Sequence, residues 1–101
     1  MAVQIVENWS DVTGTVRSCR PSPNVPGFVE VEIVVEQVKP VEGVANLLEH
    51  AAGKNLTVLV PAEVVKSLNI TLGDKIECRV RRATLDRAFV HRNHISVRHP
   101  E

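Results

Sequence analysis

The chain has 101 residues, 44% hydrophobic and 24% charged, with twelve Lys and Arg balancing twelve Asp and Glu. That length suits one domain with one modest core, and the composition excludes a disordered chain. No apolar run reaches the roughly 18 residues of a membrane helix, and the start, MAVQIVENWSD, lacks the basic region of a signal peptide. The expectation is a single domain over residues 1–101, cytoplasmic, with no membrane partner. In that compartment Cys19 and Cys78 stay reduced, and the N-x-S/T triplets at Asn8, Asn55 and Asn69 carry no glycan.

Residues 1–10 form an apolar N-terminal segment. Val3, Ile5, Val6 and Trp9 either close one end of the fold or contact a second subunit. Residues 11–19, DVTGTVRSC, are rich in β-branched side chains and predict a first strand. Gly14 inside it signals a bend or a close backbone approach. Residues 20–27, RPSPNVPG, hold three prolines and a glycine and predict a loop.

Residues 28–38, FVEVEIVVEQV, predict a long second strand. Val29, Val31, Ile33 and Val35 alternate with Phe28, Glu30, Glu32, Val34 and Glu36, so one side is buried and the other wet. After a turn at 39–43, residues 44–52, VANLLEHAA, predict a short helix ended by Gly53. Residues 56–60, LTVLV, predict a third strand. Pro61 suits the first position of a helix over 62–68, which Asn69 closes. A Gly73-Asp74 turn leads into a fourth strand, 75–83. Residues 84–86 connect it tightly to a fifth, 88–97.

Five strands with little helix predict a mostly β, small-barrel fold. The glycine-containing VTGTV, the long FVEVEIVVEQV, the VPAEVVKSL helix and the LGDKIECRV segment cover about four-fifths of the chain in an order that resembles the OB-fold. The resemblance implies a five-stranded Greek-key barrel with a short helix between strands three and four. The predicted helix at 44–52 is an addition between strands two and three. It also implies oligonucleotide binding as a plausible use. VLVPAEVVKSLNITLGDKIECRV is similar, in addition, to the AbrB-type swapped-hairpin DNA-binding domains, which complete their barrel by dimerisation. That second resemblance leaves the first two strands without a role.

The charge is uneven. Residues 1–74 hold five Lys and Arg against nine Asp and Glu, and residues 75–101 hold seven against three. The cations gather on one predicted hairpin, as Arg79, Arg81, Arg82, Arg87 and Arg92, with Phe89 and His91 among them. Closely spaced cations neutralise phosphates, and aromatic or imidazole rings supply stacking and hydrogen bonds. These seven residues are the candidate nucleic-acid site, with a single strand as the partner. The competing reading is a protein-interaction or assembly subunit, a homo-oligomer included, in which the acidic strand two of one chain meets the basic hairpin of another. The AbrB-type regulator is a third.

Other chemistry is thin. His91 and His94, three apart on a strand, point to opposite faces and cannot share a metal ion without a bulge or turn. No metal site and no cofactor is expected. Arg17 and Arg20 beside Ser18-Cys19 could lower a thiol pKa, but no histidine is placed there, and no phosphate-binding glycine loop is present. The chain reads as a non-enzymatic binding module.

Overall fold

A computed structural model describes residues 7–84 and 87–100. Val3, Ile5, Val6 and the Leu85-Asp86 connection lie outside the described residues. The elements are β1 (Ser10–Pro21), β2 (Phe28–Pro40), β3 (Asn55–Pro61), α1 (Ala62–Leu68), β4 (Lys75–Thr84) and β5 (Arg87–Arg98). The five strands close a barrel-like ring in the order β1-β2-β3-β5-β4. Every neighbouring pair is antiparallel except β3 and β5, which meet in parallel at Leu59 and Phe89.

β1 makes the closure. It pairs with β2 from Ser10 opposite Pro40 to Pro21 opposite Val29, and its first half also pairs with β4, from Ser10 opposite Val80 to Thr15 opposite Lys75. A strand that serves two neighbours around a tight ring must coil. Two register shifts against β2, at Thr13/Gly14 and Val16/Ser18, supply the bend. Gly14 lets the backbones approach there, since a Cβ at this position would sit 2.5 Å from the Val34 carbonyl oxygen.

The interior follows from β alternation. Val12 and Val16 of β1, Val31 and Ile33 of β2, Val58 and Val60 of β3, and Ile76, Cys78 and Val80 of β4 are all buried in one cluster. α1 lays Val64, Val65 and Leu68 against that cluster. Pro61 caps the helix instead of opening it, and Asn69 ends it in the left-handed region at φ 54°, as an Asn or Gly terminator does.

The helix expected over 44–52 does not form. Only Glu49–Ala51 makes a single 3₁₀ turn. Tertiary bonds claim the backbone and side chains that a helix would use. The Trp9 amide donates to the Ala45 carbonyl (3.1 Å), and Asn46 Oδ1 accepts from Ser10 Oγ (2.5 Å) and the Leu48 amide (3.3 Å). The Gly53 amide donates to Val35, and Leu48 is buried in the core cluster. Docking onto the start of β1 and onto β2 outweighs a weak local helix propensity.

Asp74 secures the turn before β4. It is fully buried; its Oδ2 accepts from the Thr71 amide (2.8 Å) and lies 3.0 Å from His99 Nδ1. Burial pushes its carboxyl up, but the Thr71 amide and His99 more than offset this, and the carboxyl is held below its usual value. A depressed carboxyl pKa contributes stability that is present above the unfolded value of about 4 and is lost as pH falls through the folded value.

Two outcomes follow for stability. Gly14→Ala is expected to lower the free energy of unfolding by about 1–3 kcal/mol or more; an unchanged urea midpoint would contradict the close approach to Val34. Asp74→Asn is expected to be less stable than the wild type near neutral pH, with the gap narrowing as pH falls below about 4. Urea midpoints across that range measure it, and a constant gap would contradict the role of the carboxylate.

Candidate nucleic-acid interface

The predicted hairpin is the β4–β5 pair. Along β4, Ile76, Cys78 and Val80 are buried while Lys75, Glu77, Arg79 and Arg81 face out, as the alternation requires. The outward cations do not share one environment. Arg79 is clamped by Asp11 of β1, Nε to Oδ1 at 2.9 Å and Nη2 to Oδ2 at 3.2 Å. The Asp11 hydrogen bonds raise its already high pKa further. Arg92 pairs with Glu63 on α1. Arg81, Arg82 and Arg87 make no ion pair among the described residues.

The glutamates of β2 are engaged elsewhere. Glu30 binds Arg20 of β1 (2.9 Å). Glu36 binds Lys75 of β4 across β1 (3.1 Å) and accepts from Thr15; the Lys75 contact leads in holding its carboxyl below the usual range. Within the chain, Arg79 and Arg92 find Asp11 and Glu63 rather than the glutamates of β2.

Arg82 has the inward parity of Val80, yet it is half-buried at the end of the ring. Its backbone is held by a side chain: Asn8 Nδ2 donates to the Arg82 carbonyl (3.0 Å), and the Arg82 amide donates to Asn8 Oδ1 (2.9 Å). The buried Asn8 amide thus mimics a strand neighbour one step beyond the β1–β4 ladder.

Phe89 lies outside the ring, opposite Arg81 on β4 and Leu59 on β3; Leu59 in turn faces Glu30 on β2. Leu59 sits between the core residues Val58 and Val60, so its side chain is on the outer surface. It is nevertheless buried, which makes an apolar spot outside the core. Phe28 meets Phe89 edge-to-face, with ring centroids 5.4 Å apart at 82°. Beside them a groove of about 360 Å³ is lined by Ser22, Asn24 and Val25 of the β1–β2 loop and by Glu30, Thr57, Leu59, Thr84, Arg87 and Ala88. Phe28 was absent from the candidate residues, although its parity with Glu30 already put it on the outer face.

β5 bulges after Val90. Val90 faces Val80 and Ile95 faces Cys78, so β5 fits five steps against two on β4. The bulge meets the condition that the H-x-x-H spacing needed. His91 and His94 come together, ring centroids 4.5 Å apart at 86°, and Trp9 packs on His91 at 5.2 Å. The Asn93 amide donates to His91 Nδ1 (3.1 Å). A neutral imidazole that accepts at Nδ1 carries its proton on Nε2 and presents a donor, not a metal-binding lone pair. No group of three or more His, Cys, Asp or Glu placed to hold a metal occurs among the described residues.

The cysteines do not behave as the arginines flanking Cys19 suggested. Burial, with Asp74 adding to it, pushes the Cys19 thiol up. Burial pushes the Cys78 thiol up to about 12. Neither carries thiolate at neutral pH. With iodoacetamide near pH 8, below both raised values, the folded protein should keep Cys78 unmodified while the urea-unfolded chain alkylates both cysteines. Equal rates in the two states would contradict this burial.

Among the described residues no helix is long and apolar enough to cross a membrane. No protein-family model matches the chain, and no curated protein resembles it at a significant level.

Proposed function

We propose that the chain is a non-enzymatic, OB-like module that binds single-stranded nucleic acid on the outer face of the β4–β5 hairpin and the adjoining β3 and β2. The observation that carries this reading is the grouping of Phe89 and Phe28 with cations that lack a protein partner among the described residues. Arg81 stands directly across from Phe89, and Arg87 precedes it by two residues on the same side of β5. Aromatic faces next to free guanidinium groups are what a sequence-tolerant single-strand binder needs: the rings stack on bases and the cations follow the phosphates. Arg82 at the strand end and His91 through Nε2–H extend the same surface. Arg79 and Arg92 act as fixed, locally neutralised flanks.

The OB-like assignment draws on the ring order β1-β2-β3-β5-β4, with α1 between β3 and β4. The AbrB-type alternative completes its barrel between two chains, whereas here β1 and β2 complete a ring within one chain. The assembly alternative needs the acidic strand to be free to meet the hairpin of a second chain. With Glu30 on Arg20 and Glu36 on Lys75, two of its carboxylates already have partners.

Fluorescence anisotropy with a labelled oligothymidylate tests the reading. Binding is expected at about 20 mM salt and should weaken steeply by about 200 mM, each phosphate contact contributing about −0.7 to the log–log slope. Arg81→Glu with Arg87→Glu should abolish it. A flat titration at the lower salt would sink the proposal.

A further inference from the structure

Trp9 is the chain's single tryptophan. It precedes β1 and is remote in sequence from the hairpin. The fold nevertheless carries it there. Ser10 faces Val80, so Trp9 runs alongside Arg81. The paired hydrogen bonds between Asn8 and the Arg82 backbone and the bond from the Trp9 amide to Ala45 fix the backbone on both sides of the indole. Trp9 remains only half-buried, and its ring rests on His91 at 5.2 Å and 54°. His91 is itself held by the Asn93 amide and by the edge of His94.

His91 follows Phe89 by two residues on β5, and a strand advances about 6.8 Å over two residues. Stacked bases are spaced at about 3.4 Å along a strand. Phe89 and His91, the residue on which the indole rests, are thus about 7 Å apart along β5, a spacing on the scale of alternate bases of a stacked strand, or neighbouring bases of a stretched one. Arg81 lies next to both platforms, across from Phe89 on one side and alongside Trp9 on the other.

We infer that Trp9, supported by His91, is a second stacking platform for the same nucleic-acid strand. This rests on the single-strand reading of the hairpin. Asn8 is a positioning residue in this account: it holds the indole in place through the Arg82 backbone and does not touch the ligand.

The indole reports on its own role. A labelled octathymidylate is titrated into the full chain, with anisotropy and tryptophan emission read on the same samples. The expected result is quenching of Trp9 emission with the midpoint seen by anisotropy. Trp9→Leu should bind roughly 5- to 150-fold more weakly, the range for loss of one stacking ring, and Trp9→Phe should recover most of that loss. If anisotropy shows binding while the emission does not change, the second platform is wrong and the Phe89 reading stands. Equal affinity of the wild type and a folded Trp9→Leu would overturn it in the same way. The wild-type emission decides the point even if Trp9→Leu fails to fold. If the wild type binds no oligonucleotide, both readings fall.

Discussion

The close approach of Gly14 to the Val34 carbonyl is the constraint on which the rest of the structure depends. With a Cβ placed 2.5 Å from that oxygen, β1 could not coil as it does. The clash would push β1 away from β2 at Gly14, the residue that also pairs with Ile76 of β4. The same strand forms the β1–β4 seam, where Asp11 reaches Arg79 and Asn8 reaches Arg82. The same seam sets Trp9 beside Arg81. One missing methyl group therefore bears on the core, the charge pairing and the proposed ligand surface together.

Electrostatics on this molecule are settled locally. The contrast between an acidic first three-quarters and a basic last quarter looks in one dimension like two poles. In three dimensions, strand pairing interleaves them. Asp11 meets Arg79, Glu36 meets Lys75 and Glu63 meets Arg92, while Glu30 meets Arg20 within the acidic part. Exposed pairs of this kind add little stability, typically about 0–1 kcal/mol. Their effect here is selective: they remove two arginines from the hairpin's free charge and leave Arg81 and Arg87 beside the aromatic pair, with Arg82 at the end of the ring. The proposed surface is thus smaller than the seven-residue cluster, and richer in rings.

Much of the fold was legible in the sequence because it is written in short-range patterns. Alternation in FVEVEIVVEQV gave β2, Gly14 marked the corner, Asn69 ended α1, and Lys75–Arg81 showed which side chains face out. What was not legible depends on residues far apart in the chain. The helix expected at 44–52 yields to bonds from Trp9 and Ser10, more than thirty residues away. Arg79 looked free because Asp11 is 68 positions distant. The β5 bulge has no glycine or proline to announce it, so His91 and His94 were set on opposite faces when they in fact touch. Phe28 could have been found from its parity with Glu30. Trp9 could not, because its place follows from the β1–β4 register.

The central claim is that one part of the ring's outer surface, between Trp9, Arg81 and the Phe28–Phe89 pair, takes a single strand. Amide chemical-shift mapping of the ¹⁵N-labelled chain with oligothymidylate tests it most directly. The account predicts that shifts concentrate at Trp9, Leu59, Arg81, Arg87, Phe89 and His91. Thr13, Gln37 and Ser96, which line a separate groove with Lys39, Lys75 and Arg98, should stay in place. Shifts clustered in that second groove, or none anywhere, would contradict it.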